Sequence, residues 1–181
     1  SDIYLYDLKA DSTVNLCKDK GIKSIVPIKI QKALAGEPVT NAFGSSPLGD
    51  KNMGYDTNPQ FSPDGRHIAW QSMARDGYES DLNRLYVLDL EKKEKFCASG
   101  SFDTNVDSYV WASDSLFYLT ATWHGTTQIY SLGLNDWKED KTPVKLTDGL
   151  HDYASIALCG KNLIATRHSM SQADEIYVVA P

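Results

Sequence analysis

Apolar and polar positions alternate along most of this chain in short runs, and Gly, Pro, Asn, Asp and Ser interrupt them at close intervals. A two-residue period of this kind predicts β-strands, and no stretch carries the three-to-four spacing of a long helix. Asn58 to Trp70 shows the unit most clearly, reading Asn-Pro-Gln-Phe-Ser-Pro-Asp-Gly-Arg-His-Ile-Ala-Trp. Phe61 ends one strand, Ser62-Pro63-Asp64-Gly65 supplies a turn, and Ile68, Ala69 and Trp70 open a second strand. Proline presets φ, Asp64 can bond its own backbone, and Gly65 accepts positive φ. Such a turn fixes the register, and with it the side chains that enter the core.

The unit repeats. Tyr-centred strands occur at Ile3–Leu8, Leu85–Leu90, Ile129–Leu132 and Ile176–Val179, and Tyr86, Tyr130 and Tyr177 recur at intervals of 44 and 47 residues. The hairpin turn returns as Ala112-Ser113-Asp114-Ser115 and, more faintly, as Leu158-Cys159-Gly160-Lys161. A further strand follows three of the Tyr strands, at Val14–Cys17, Glu94–Cys97 and Val144–Thr147. A period in the mid-forties with four short strands, a to d, predicts the blades of a β-propeller. The expected fold is all-β: an incomplete propeller of about three four-stranded antiparallel blades plus part of a preceding one. Residues 1–17 read as strands c and d of that preceding blade, 58–105 and 106–151 as complete blades, and 152–181 as strands a to c of another. The chain is thus expected to be a fragment that starts and stops inside blades. Residues 18–57 break the rhythm as a long insertion, and loops of that length are functional or disordered.

Composition narrows the partners. The chain has 181 residues and a net charge of −6, with basic residues scattered and no phosphate-binding stripe; nucleic acid is not expected. No apolar run is long enough to span a membrane, and no signal peptide opens the chain. Four unclustered histidines and no paired cysteines predict neither a metal nor another cofactor. Cys17 and Cys97 fall at equivalent strand-d positions of neighbouring blades, too far apart for a disulfide. All three cysteines, Cys159 included, read as small buried fillers.

Several strings go further: Gly54 to Gly65, Arg75-Asp76-Gly77-Tyr78-Glu79-Ser80-Asp81, Trp123-His124-Gly125-Thr126-Thr127-Gln128-Ile129-Tyr130, and Thr166 to Gln172. Together they resemble the propeller of bacterial prolyl oligopeptidase-family serine peptidases, of the dipeptidyl aminopeptidase or acylaminoacyl-peptidase type. The resemblance covers residues 2–17 and most of 54–181. It implies a propeller that caps an α/β-hydrolase domain, restricts access and helps hold peptide substrates. The chain itself lacks Gly-x-Ser-x-Gly, the elbow that presents a nucleophilic serine. A non-catalytic portion is therefore expected, with the C-terminal hydrolase domain of the parent chain and peptides as partners, and with self-association through open blade faces. The alternative is a TolB-like propeller acting as a protein-binding scaffold. The compartment stays open between periplasm and cytoplasm.

Two b–c connections are candidate substrate contacts. Arg75, Glu79 and Asp81 offer a guanidinium fork and carboxylates suited to a peptide terminus; the bland reading is a solvated, internally salt-bridged hairpin. Trp123 and His124 occupy the same connection one blade later and could line a peptide-accepting face, or pack between blades. His168-Ser169 with Asp174 is the nearest approach to a triad. Sequence adjacency supplies none of a triad's geometry, so it reads as loop structure.

Overall fold

The computed structural model describes residues 1–25, 54–75, 77 and 80–180. Strand β1 (Tyr4–Asp7) pairs with β2 (Ser12–Asn15) as a hairpin. Strands β3 (Lys23–Ser24), β4 (Asp56–Phe61), β5 (His67–Ser72), β6 (Arg84–Asp89) and β7 (Glu94–Cys97) form a five-stranded sheet in the order β3-β7-β6-β5-β4. Next come β8 (Ser108–Ser113), β9 (Leu116–Trp123), β10 (Thr126–Gly133) and β11 (Val144–Lys145), in the order β11-β10-β9-β8. The last sheet is β12 (Asp152–Cys159), β13 (Asn162–Ser169) and β14 (Gln172–Val179) in sequence order. A 3₁₀ turn at Asp136–Glu139 is the one helical piece among the described residues. The architecture is all-β, and none of the four sheets closes on itself.

The sheets stack, and a separate core fills each gap. Ile3, Leu16 and Cys17 from the first hairpin meet Ile68, Trp70 and Leu88 of the five-stranded sheet. The opposite face of that sheet sends Ala69, Leu85, Val87 and Phe96 against Tyr109, Trp111, Phe117 and Leu119 of the next. Ile129 and Tyr118 then face Tyr153, Leu163 and Ala165. Strand β5 is buried on both faces, so Ile68, Ala69 and Trp70 are apolar in succession without alternation, as in a strand covered on two sides. Trp70 is fully buried and donates its indole N–H to Asp56 Oδ1 at 3.0 Å.

The turn between β4 and β5 forms as its letters predict. Phe61 pairs with Ile68, Ser62 N donates to His67 O at 2.9 Å, and Gly65 takes φ of 71°. Two features depart from expectation. Residues 18–57, read as an insertion, contribute β3, which runs parallel to β7 and extends the five-stranded sheet; residues 26–53 lie outside the described set. Cys159 is not a buried filler: it ends β12 in the open, while Cys17 and Cys97 are buried. The cause is position. Cys159 sits beside the Gly160 turn, beyond the reach of the neighbouring sheet.

Candidate functional site at the hairpin end of the sheets

Strand direction places the two candidate connections together. The turns after β4 and β8 sit side by side, Asp64 N donating to Asp114 Oδ1 at 2.9 Å. The β5–β6 and β9–β10 connections therefore leave from the opposite end of the stack. The link before β8 bridges them there: Val106 N donates to Asn83 O at 2.8 Å, and Thr104 Oγ1 donates to Thr122 O at 2.8 Å.

Trp123 and Thr126 are the closing pair of a two-residue turn, His124-Gly125. Both turn residues have positive φ, 53° and 81°, the primed geometry that matches strand twist. Gly125 adopts this freely; His124 does so at some cost. The turn leaves Trp123 48% exposed, with the imidazole of His124 stacked on it at 4.7 Å and 22°. This pair does not pack between sheets. It stands in solvent as a flat aromatic surface, the kind of platform that accepts an apolar or backbone face of a peptide.

In the β5–β6 connection, Arg75 grips Asp81 with both arms of its guanidinium, Nε to Oδ2 at 2.9 Å and NH2 to Oδ1 at 2.5 Å. The hydrogen bonds from Arg75 hold the Asp81 carboxyl below the usual carboxylate range. This forked pair ties the loop's two ends together. Glu79 lies outside the described residues, as do Asp76 and Tyr78.

Between the second and third large sheets a cleft of about 320 Å³ opens at the same end, lined in part by Asp107, Thr122, Thr127, Asp152 and His168. Thr122 Oγ1 donates to Asp107 Oδ2 at 3.0 Å, and Thr127 N donates to Asp152 Oδ1 at 2.6 Å. Burial pushes the Asp107 carboxyl upward. Sequence reasoning passed over these aspartates. Their signal was present, since Asp56, Asp107 and Asp152 recur at the start of each first strand.

His168, Ser169 and Asp174 form no triad. His168 Nδ1 lies 2.9 Å from Asp174 Oδ1, whereas Ser169 Oγ lies 3.4 Å from the hydroxyl of Ser171 in the β13–β14 turn. Asp2, Cys17 and Asp56 come together beneath β1. Burial pushes the Cys17 thiol up to about 12. Asp2 Oδ2 already accepts from Asn15 and Lys18, each at 2.8 Å. The group reads as internal hydrogen bonding.

No family model matches the chain. Dipeptidyl-peptidase 5 of Porphyromonas gingivalis is 44% identical over 130 residues, covering 71% of this chain and 18% of that protein. Dipeptidyl-peptidase 5 of Porphyromonas endodontalis is 34% identical over 178 residues, covering 98% of this chain and 20% of the relative. The β-propeller domain of the trilobed protease from Pyrococcus furiosus superposes with a TM-score of 0.50 at 19% identity, over 64% of this chain and 34% of that one. The chain belongs to the propeller part of the prolyl oligopeptidase family. It spans about a fifth of the length of these two relatives. Fold likeness extends beyond peptidases: TolB from Acinetobacter baumannii matches 98% of this propeller segment and 34% of its own chain, with a TM-score of 0.55 at 16% identity. At that identity the likeness is one of fold alone.

Proposed function

We propose that this segment gates and positions peptides for a hydrolase domain carried elsewhere in the same polypeptide, and that the parent is a dipeptidyl or acylaminoacyl peptidase. On this reading the four sheets are consecutive blades, the first and last incomplete, with residues 58–105 and 106–151 as the two full ones. Arg75, Glu79, Asp81, Trp123 and His124 form the peptide-contacting rim. The Arg75–Asp81 fork holds the first connection in shape, and the Trp123–His124 stack offers the contact surface. The observation that carries the proposal is this exposed stack at one end of a segment 44% identical to a dipeptidyl peptidase.

The test is kinetic. The isolated chain is expected to turn over no dipeptidyl chromogenic substrate, because it has no nucleophile elbow. The full-length parent should do so through a Gly-x-Ser-x-Gly serine outside these residues. Trp123→Ala in the parent should raise KM several-fold with kcat little changed, as expected for loss of binding shared by ground and transition states. Turnover by the isolated chain, or an unchanged KM, would count against the proposal. A parent reading frame with no hydrolase domain would favour the TolB-like scaffold instead.

A further inference from the structure

Two backbone amides beside the candidate rim are satisfied by side chains from further along the chain, one in the link to the following sheet and one in the following sheet itself. Asn83 N, just before β6, donates to Asn105 Oδ1 at 2.8 Å, across 22 residues of sequence. Thr127 N, one residue into β10, donates to Asp152 Oδ1 at 2.6 Å, across 25 residues. The acceptors differ in type and place. Asn105 is in the link before β8, and Asp152 is the first residue of β12. Both do the same physical job, fixing the outgoing arm of a connection.

The second case is the more complete. Thr127 pairs with Thr122, and their hydroxyls lie 2.8 Å apart. Thr122 in turn is held by Asp107 on one side and Thr104 on the other. The tip at Trp123–Gly125 is thus guyed to its own sheet through Thr122 and to the next sheet through Thr127. Asp152 also faces His168 Nε2 at 3.9 Å, which links the anchor to β13.

We infer that each rim connection is positioned by one side-chain oxygen from further along the chain: Asn105, in the link that leads into the next sheet, for the Arg75–Asp81 connection, and Asp152, in the next sheet itself, for the Trp123–His124 tip. These are positioning residues that touch no peptide. A tip on a two-residue turn can pivot about its last strand pair, and one fixed amide beside that pair limits the pivot. The inference rests on the rim contacting peptide, as proposed above, for its functional half only.

Amide hydrogen exchange on the 181-residue chain tests the structural half. Asp152→Ala should speed exchange at Thr127 about tenfold, the scale of one lost hydrogen bond, with Leu119 in the core unchanged. Asp152→Asn keeps an acceptor oxygen and should restore protection. Asn105→Ala and Asn105→Asp should behave likewise at Asn83. A trans-hydrogen-bond coupling from the Thr127 nitrogen to the Asp152 carboxylate carbon reads the same bond with no substitution, should Asp152→Ala unfold the sheet. Unchanged exchange at Thr127 together with no coupling would overturn the inference. In the parent peptidase, Asp152→Ala should raise KM as Trp123→Ala does, and Asp152→Asn should not. If Trp123→Ala raises KM and Asp152→Ala does not, positioning by the next sheet is wrong. If Trp123→Ala has no effect, the peptide-contact proposal fails, and the exchange data still decide the anchor.

Discussion

The three cysteines show how far a single residue's chemistry depends on its neighbours. Cys17 accepts a hydrogen bond from Ile3 N at 3.3 Å beneath the first hairpin, and burial pushes its thiol up to about 12. Cys97, wholly enclosed beside Ser99, is pushed up by burial too. Neither presents a thiolate at neutral pH, whereas Cys159 stands in solvent. Titration with a chromogenic disulfide reagent should therefore find one fast thiol per native chain and two more on unfolding. Three fast thiols would mean that the first hairpin does not cover Cys17. The sequence places Cys17 and Cys97 at equivalent strand positions and Cys159 at a turn, yet small apolar character alone reads all three as fillers. The distinction arises from whether a neighbouring sheet overlies the residue.

At the scale of the element, β5 decides the packing. Ile68 and Trp70 face the first hairpin, and Ala69 faces the second large sheet, so one strand serves two cores. Trp70→Ala removes a fully buried indole and should cost roughly 3–5 kcal/mol. Urea titration would read this as a fall in midpoint at constant slope. Trp123→Ala, removing a half-exposed ring, should stay within about 0.5 kcal/mol. A small loss at Trp70 would show that β5 is not sandwiched. The β4–β5 turn was legible because Pro63 and Gly65 restrict local dihedrals. Phe61 was less so. It ends its strand as expected but is 52% exposed, although its cross-strand partner Ile68 is buried in the core under the first hairpin.

For the whole molecule, the two outermost faces carry the strongest expectation. Tyr4 and Tyr6 are 60% and 51% exposed on the outer face of the first hairpin, and Ile176 and Val178 are 77% and 70% exposed on β14. Stacked sheets are stable because each face is covered, and bare apolar faces and unpaired strand edges recruit partners. We expect the isolated chain to associate, with apparent mass by light scattering falling on dilution. Ile176→Glu with Val178→Glu should shift the equilibrium toward monomer. A monomer at every concentration that unfolds cooperatively would refute this.

By itself the sequence determined what depends on near neighbours: strands from the two-residue period, turns from Pro63, Gly65 and Gly125, and stacked repeats from the spacing of Tyr86, Tyr130 and Tyr177. It also determined the family, through strings such as Trp123 to Tyr130 that hold together as local hairpins. What it left undecided depends on distant partners. The parallel pairing of β3 with β7 joins segments about seventy residues apart, and pairing at such separation must offset the entropy of closing the loop with tertiary contacts that local preference does not encode. The anchoring of Thr127 by Asp152 and of Asn83 by Asn105 needs the sheets to be stacked before donor and acceptor meet. The exposure of Trp123 followed the same rule. An aromatic residue at a strand end is apolar in any sequence, and only the reach of the next sheet decides whether it is core or rim.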